Sequence, residues 1–495
     1  MKQKLLKKIK SIPTLRLFWL SLIVIFVIVF LTLKIVPGGK ITYRYNYAGK
    51  FHVGQGFIYN FTPPDRVVSK PGQLPKMIGD PLYFSVFTPR TFSKAKLKLY
   101  YRRNLDEKTP IIEAGILADG IVWRYDLKPI ENRLIDNLYS SWRLLSSEPL
   151  IMQQDAYYQD QESFFSDLKA GNLKGCQTDR ILECLAVYNY SPDLEVNFSF
   201  SESEKPFQLD VPLRGAHTLF LYPETDKLSF KVTVTDLNLD KNNDPIKLIL
   251  SQGKKIIAQS DLADENRAPT GGQEEIKTLY LEDKIKAKEL YKLEIKISDD
   301  VVIKKIESST NRLVFANKLW PVSWGKELRV YTDSPYLQLK ALGPASCQDF
   351  IFGQQSFSLS TPYEKQEFSL EQENGNKLKE IHLVRDDVII ETGGVFSFSR
   401  DNFFNPVVKK VDRYYQLRPE NRYIIADYKG PQVYRGDILV NEAEFDLQGV
   451  YRENDKYNFV ISVPGIEKNP ANYLAIEKIE IEFSGRTLGQ KLFNF

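Results

Sequence analysis

Between Leu17 and Val36 the chain reads LFWLSLIVIFVIVFLTLKIV, and Leu17 to Leu33 carries no charged residue, with only Ser21 and Thr32 polar. A helix of this length spans about 30 Å, the thickness of a bilayer's hydrocarbon core. In hydrocarbon every backbone polar group must be satisfied within the segment, so a lone apolar run of this kind has to be helical. Pro37-Gly38-Gly39 ends it. A buried helix of a soluble core is usually shorter and keeps a polar stripe. A cleaved signal peptide has a shorter apolar core and a small-residue cleavage site, and none follows here. The expectation is an uncleaved signal anchor: a basic tail over 1–16, then a single-pass transmembrane helix over 17–36.

Charge orients it. Lys2, Lys4, Lys7, Lys8, Lys10 and Arg16 precede the run, and the first acidic residue is Asp65. The positive-inside rule then places the N-terminus in the cytoplasm and the bulk of the chain outside, at the cell membrane. The formal charge of +4 follows from the same asymmetry. Residues 1–40 hold eight Lys/Arg and no acid; setting those eight aside leaves 59 basic against 63 acidic residues, a net of −4. The tail suits anionic lipid heads, and the mildly acidic remainder argues against a nucleic-acid partner.

The remainder reads as β-structure. Tyr (27) and Phe (30) are plentiful while Met (3) and His (3) are scarce, which favours strands over helices. Period-two alternation marks strands at Ile41–Tyr47, Leu82–Phe87, Ala95–Tyr101, Ile121–Leu127, Leu228–Val234, Ile246–Ser251, Tyr291–Ile297, Val388–Ile390, Val395–Phe398, Tyr457–Val463 and Ile476–Phe483. The period changes after Pro129, where Ile130, Leu134, Leu138 and Trp142 recur every four residues, predicting a helix. A second helix is expected over Ser163–Ala170, stopped by Gly171. The fold class expected is mainly β: the anchor, then tandem antiparallel β-sandwich (jelly-roll-like) domains over 41–200, 211–318 and 327–495, the first with a helical insertion and the last divisible into two subdomains. An internal echo supports the repeat. Tyr291-Lys-Leu-Glu-Ile leads to Ile303-Lys-Lys-Ile306, and Tyr457-Asn-Phe-Val-Ile leads to Ile476-Glu-Lys-Ile479.

Catalytic signatures are missing from the sequence: no GxSxG, HExxH, P-loop or strand-borne GxGxxG occurs. His52, His217 and His382 are far apart, and the pairs Asp264/Glu265, Asp299/Asp300 and Asp386/Asp387 mark turns. Cys176 and Cys184 can close a small loop in an oxidising compartment, leaving Cys347 over. One stretch has the composition of a cation loop: Asp236, Asn238, Asp240 and Asp244 alternate hard oxygen donors and nominate a calcium site. Lys241 and Lys247 stand where an EF-hand needs Gly and Glu, so a looser site is meant. The competing reading is a polar turn. Trp320 and Trp324 in LWPVSWGK are the aromatic pair nominated for ligand stacking. Together these features predict a cell-envelope protein held by residues 17–36 in the lipid bilayer, with a binding or structural role toward a polysaccharide, wall or envelope-protein partner. The alternatives are a polysaccharide hydrolase with carboxylates from separate strands and an accessory subunit of a membrane complex.

Overall fold

A computed structural model describes residues 16–28, 39–46 and 57–485, except 89–91, 178–180, 193, 195–205, 238–245, 254, 263–274, 323–326, 371–377 and 416. The chain is mainly β, built from several antiparallel sheets. Residues 16–28 form a helix in which every side chain is exposed, from Leu22 at 44% to Leu17 at 71% among its apolar residues. Among the described residues no helix is long and apolar enough to cross a membrane. The remainder of the expected span, 29–36, lies outside the described residues.

The chain divides into two compact units, and one of them is discontinuous. Unit 1 comprises Met1–Leu138 and Tyr428–Phe495; unit 2 is Tyr139–Asp427. This corrects the linear domain division expected from sequence. The strand Tyr473–Gly485 pairs with Gly39–Asn46 and with Lys94–Asn104, so strands more than 350 residues apart build one body. Register is specified by alternation across any distance in sequence, and linear reading cannot see which distant strand is the partner.

In unit 1 one sheet runs Leu82–Phe87, Lys456–Ser462, Ile111–Asp119, Arg124–Asn132. The other runs Tyr473–Gly485, Lys94–Asn104, Ile438–Asp446. Alternate residues of both, among them Phe84, Leu97, Leu99, Ile116, Phe459, Ile479 and Phe483, meet in one core. Unit 2 contains the same seven-strand arrangement in the same chain order. Its strands His217–Leu221, Tyr291–Lys296, Ile246–Gln252, Lys255–Leu262 form one layer, and Val301–Ser308, Lys227–Asp236, Glu275–Lys284 the other, again around a shared core. Register agrees residue by residue. Tyr457 pairs with Val86 as Tyr291 pairs with Leu221. Between Ile476 and Lys478 the ladder slips by one residue against Lys94–Asn104, and between Ile303 and Lys305 it slips at the matching place against Lys227–Asp236. The sequence echo is thus a structural repeat, down to a β-bulge at Glu477 and Lys304.

The two copies differ in one connection. Unit 2 enters unit 1 between Arg124–Asn132 and Ile438–Asp446. The corresponding connection in unit 2 is 263–274, outside the described residues. The rest of unit 2 extends the His217–Leu221 layer through Leu313–Leu319 and Val388–Ser397 to Leu328–Thr332, Lys379–Leu383 and Gln348–Phe352, so the expected boundary near 319–326 does not interrupt the sheet. A separate five-stranded sheet of Arg143–Ser147, Leu150–Gln153, Tyr423–Ala426, Leu185–Tyr188 and Lys409–Lys410 includes parallel pairs and packs against the helix Gln161–Lys169. Asp160 caps that helix by accepting from Ser163 N at 2.7 Å, and Gly171, at φ 65°, follows its end.

The helix expected after Pro129 is short. Pro129 and Ile130 belong to the strand Arg124–Asn132, Ile130 is buried in the unit 1 core, and only Arg133–Leu138 is helical. Asn132 starts it, its Oδ1 accepting from Leu134 N and Ile135 N. Pro129 stands at a register shift on an edge strand, where its missing N–H costs no ladder bond.

Candidate functional site

Of the residues nominated from sequence, the structure describes Asp236 and Trp320. Asp236 ends the strand Lys227–Asp236 with its side chain 1% exposed, and Lys277 Nζ lies 4.0 Å from its Oδ2. Its carboxylate is committed to a neighbouring ammonium inside the fold. Asn238, Asp240 and Asp244 lie outside the described residues. Among the described residues no group of three or more His, Cys, Asp or Glu is arranged to hold a metal ion. Trp320 is buried, and its Nε1 donates to Asp387 Oδ1 at 3.2 Å. The Arg214 guanidinium and the Lys318 ammonium stand 4.9 Å and 5.2 Å from its ring. A ring held this way is a packing and cation–π element, and it offers no free face for stacking a ligand. Trp324 lies outside the described residues.

His217 is also structural. Its Nδ1 meets Gly215 O at 2.8 Å and its Nε2 accepts from Trp320 N at 3.4 Å, an arrangement that holds the neutral imidazole. Burial pulls its pKa down to about 4. His382 pairs with Glu327 at 3.0 Å, and His52 lies outside the described residues.

A polar cluster forms in unit 2 where no sequence motif marks it. The strand Val388–Ser397 bulges at Thr392-Gly393-Gly394, for Glu391 faces Lys318 while Val395 already faces Ala316. A Cβ at Gly393 would stand 2.1 Å from the Tyr336 hydroxyl, and one at Gly394 would stand 2.9 Å from Asp333 Oδ1. The two glycines therefore admit side chains that any other residue would exclude. Tyr336 donates to Asp412 Oδ2 at 2.7 Å and stacks on Tyr414 with ring centres 4.1 Å apart. Asp412 Oδ1 accepts from Tyr414 N at 2.9 Å. Arg413 pairs with Glu367, which also accepts from Gln338 Nε2 at 3.1 Å. Burial pushes the Asp412 carboxyl above the usual carboxylate range, against the pull of the Tyr336 hydroxyl, and raises Tyr336 as well.

Asp333 is held differently. Asn405 Nδ2 donates to its Oδ2 at 2.6 Å and Lys409 Nζ stands 3.7 Å away, while Oδ1 is buried without a hydrogen-bond partner among the described residues. The cluster thus contains one carboxyl biased toward the protonated form and a second with a free acceptor oxygen beside a cation. These come from separate segments, as the hydrolase alternative requires. Two adjacent glycines inside an apolar, β-branched run were the available signal, and they mark a bulge rather than a chemistry.

No family model matches the chain, and none of the curated proteins matches it. Among solved structures, the VP2 subviral particle of infectious bursal disease virus is similar over 93% of this chain and 84% of its own, at 10% identity and a TM-score of 0.15. The T13 particle of the same virus is similar over 92% and 83%, at 9% identity and a TM-score of 0.16. At those TM-scores the likeness carries no argument. The class that the fold defines is a mainly β protein of stacked antiparallel sheets.

Proposed function

We propose that the chain is a membrane-anchored, extracytoplasmic β-sandwich protein of the cell envelope, with a binding or structural role toward a glycan, the wall or an envelope protein. The observation that carries this reading is the helix over 16–28, whose apolar side chains are exposed on every side. An apolar surface of that extent is not left in water, and a lipid phase is the partner that asks nothing of its shape. Continued through Val36, the run has the length of a bilayer span. The disulfide Cys176–Cys184 supports the same placement, because such bonds persist in oxidising compartments.

The test is topological. Alkaline carbonate should leave the protein in the membrane pellet, and protease added to intact cells or spheroplasts should digest residues beyond 39 while sparing the tail. Release into the carbonate supernatant, or protection until lysis, would overturn the placement.

One observation favours a second reading, hydrolysis of a polysaccharide. Asp333 and Asp412 reach the Gly393-Gly394 bulge from separate segments, and burial raises the Asp412 carboxyl, as a general acid requires. Asp412→Asn and Asp333→Asn would each abolish release of reducing ends from soluble polysaccharides. A wild-type protein that releases none removes this reading.

A further inference from the structure

The repeat within the chain provides an internal control for every outward-facing residue. A position that the fold itself requires should be filled similarly in both copies. On the outer face of unit 1's Leu82–Phe87 sheet, Tyr83 pairs with Val460, Val460 with Gly115, and Gly115 with Leu127. The matching row in unit 2 is Thr218, Glu294, Ile249 and Gln259. The second copy therefore folds with Thr, Glu and Gln around a single Ile where the first carries an apolar and aromatic row.

In unit 1 this row is roofed by rings. Tyr83 and Tyr125 reach over it from different strands, with ring centres 5.3 Å apart. Burial raises both phenols, Tyr125 to about 12. Beneath them Val460 is 2% exposed. At the turn from Ile111–Asp119 to Arg124–Asn132, Trp123 is 62% exposed, though large aromatics are usually the most buried side chains. The turn is built to hold it there. Asp119 Oδ1 accepts from Ile121 N and Val122 N, Gly120 lies where a Cβ would strike the Tyr451 ring, and Trp123 adopts φ 45°, rare for a bulky residue. Tyr451 stands at a steep angle to the indole, with ring centres 6.3 Å apart.

The chemistry beside the rings identifies the occupant. Ser85 donates to Asn458 Oδ1 at 2.8 Å in the neighbouring outward row, so amide and hydroxyl groups flank the aromatics. Charge beside the rings is mixed in sign: Arg66 and Asp80 both act on Tyr83, Asp126 and Lys128 pair at 3.5 Å on the strand of Tyr125, and Arg124 follows Trp123. An exposed indole with hydrogen-bonding groups of mixed charge at its margin matches a pyranose, which presents a C–H face and a rim of hydroxyls. Anionic lipid or nucleic acid would need a margin of basic residues without the interleaved acids Asp80 and Asp126.

We propose that the outer face of unit 1, centred on Trp123 with Tyr83, Tyr125 and Tyr451, binds a polysaccharide by stacking pyranose rings. This rests on the binding role proposed above and names its ligand class. The full chain, in micelles of a detergent without a sugar headgroup, would be run through native gels containing a soluble β-glucan, a glucomannan or glycol chitin. At least one should retard it. Trp123→Asn, which removes the ring while keeping a residue tolerant of positive φ, should weaken that retardation about tenfold, as loss of a binding anchor does. Tyr280→Ala, which removes an exposed ring from unit 2, should leave it unchanged. Retardation by none of the three, or undiminished retardation of Trp123→Asn, overturns the proposal. So does a wild-type protein that sediments as a dimer and becomes monomeric in Trp123→Asn, since the face would then be a protein interface. Carbonate extraction of the same variants keeps the two readings separable: failed glycan binding with intact membrane retention rejects this face and leaves the anchor standing.

Discussion

At residue scale, two groups report on how unit 2 is held. His217 is neutral in the fold at about pKa 4 and near 6.5 when unfolded, so the unfolded chain binds more protons between those values. Its contribution to stability is complete above about pH 6.5 and is lost as pH falls through about 4. In unit 1 the matching position is Leu82, which cannot titrate. His217→Leu should cost on the order of 1–3 kcal/mol at pH 7, because Gly215 O and Trp320 N lose their partner. It should also flatten the dependence on pH between 4 and 6.5. Urea unfolding of both proteins across that range checks it; parallel pH curves would contradict the assignment. The second group is the bulge. Gly393→Ala would drive a methyl into the Tyr336 hydroxyl and should cost about 1–3 kcal/mol. Adding Tyr336→Phe removes the obstructing oxygen and should recover part of the loss. A strictly additive double-mutant cycle would show that the two do not compete for space.

At the scale of elements, alternation was legible and partnership was not. The strand expected at Leu82–Phe87 is present with those limits, because its inward Leu82, Phe84 and Val86 alternate cleanly with outward Tyr83, Ser85 and Phe87. Val388–Ile390 and Val395–Phe398 read as two strands because Gly393-Gly394 resembles a break, yet they are one bulged strand. The Ile130–Trp142 periodicity misled for a different reason: Ile130 serves the sheet core, Leu134 and Leu138 are half-buried in a short helix whose buried residue is Ile135, and Trp142 is buried just ahead of the strand Arg143–Ser147. Equal spacing arose from three separate environments. Of the candidate site residues, Trp320 is buried; its cationic neighbours Arg214 and Lys318 reach it from strand geometry that composition does not record. The shared bulge yields a prediction at this scale. Deleting Glu477 should remove it and move one part of Tyr473–Gly485 by a register step, turning either its earlier or its later core residues outward. Soluble expression and thermal unfolding should show collapse of unit 1, whereas substituting Glu477 by Ala should be mild. A well-folded deletion variant would show that the bulge is dispensable.

At the scale of the whole molecule, unit 1 is interrupted but its loose ends meet. The Tyr428 hydroxyl donates to Asp136 at 2.9 Å and accepts from Asn132 N at 2.9 Å, while Asn441 Nδ2 donates to Ile130 O and to Lys429 O. Burial raises Asp136 to about 6, a sign of how firmly this junction is closed off. Met1–Leu138 joined to Tyr428–Phe495 through a linker of about four residues should therefore fold by itself, as hairpin-length connections suffice between neighbouring ends. A single cooperative urea transition with a β-type circular dichroism spectrum is the expected result. An unfolded product would mean that the inserted unit supplies something unit 1 needs.

The interruption also sets a timetable. Roughly 290 residues of unit 2 emerge between the two parts of unit 1, a delay on the order of 15–60 s at ordinary rates of translation. Throughout that interval the first-made strands stand with open edges, a condition that invites wrong pairing. The strand that relieves them, Tyr473–Gly485, is made after unit 2, and among the described residues it alone joins Gly39–Asn46, Lys76–Met77 and Lys94–Asn104. A nonsense codon shortly before Tyr473 would leave Gly39–Asn46, Lys76–Met77 and Lys94–Asn104 without their shared keystone.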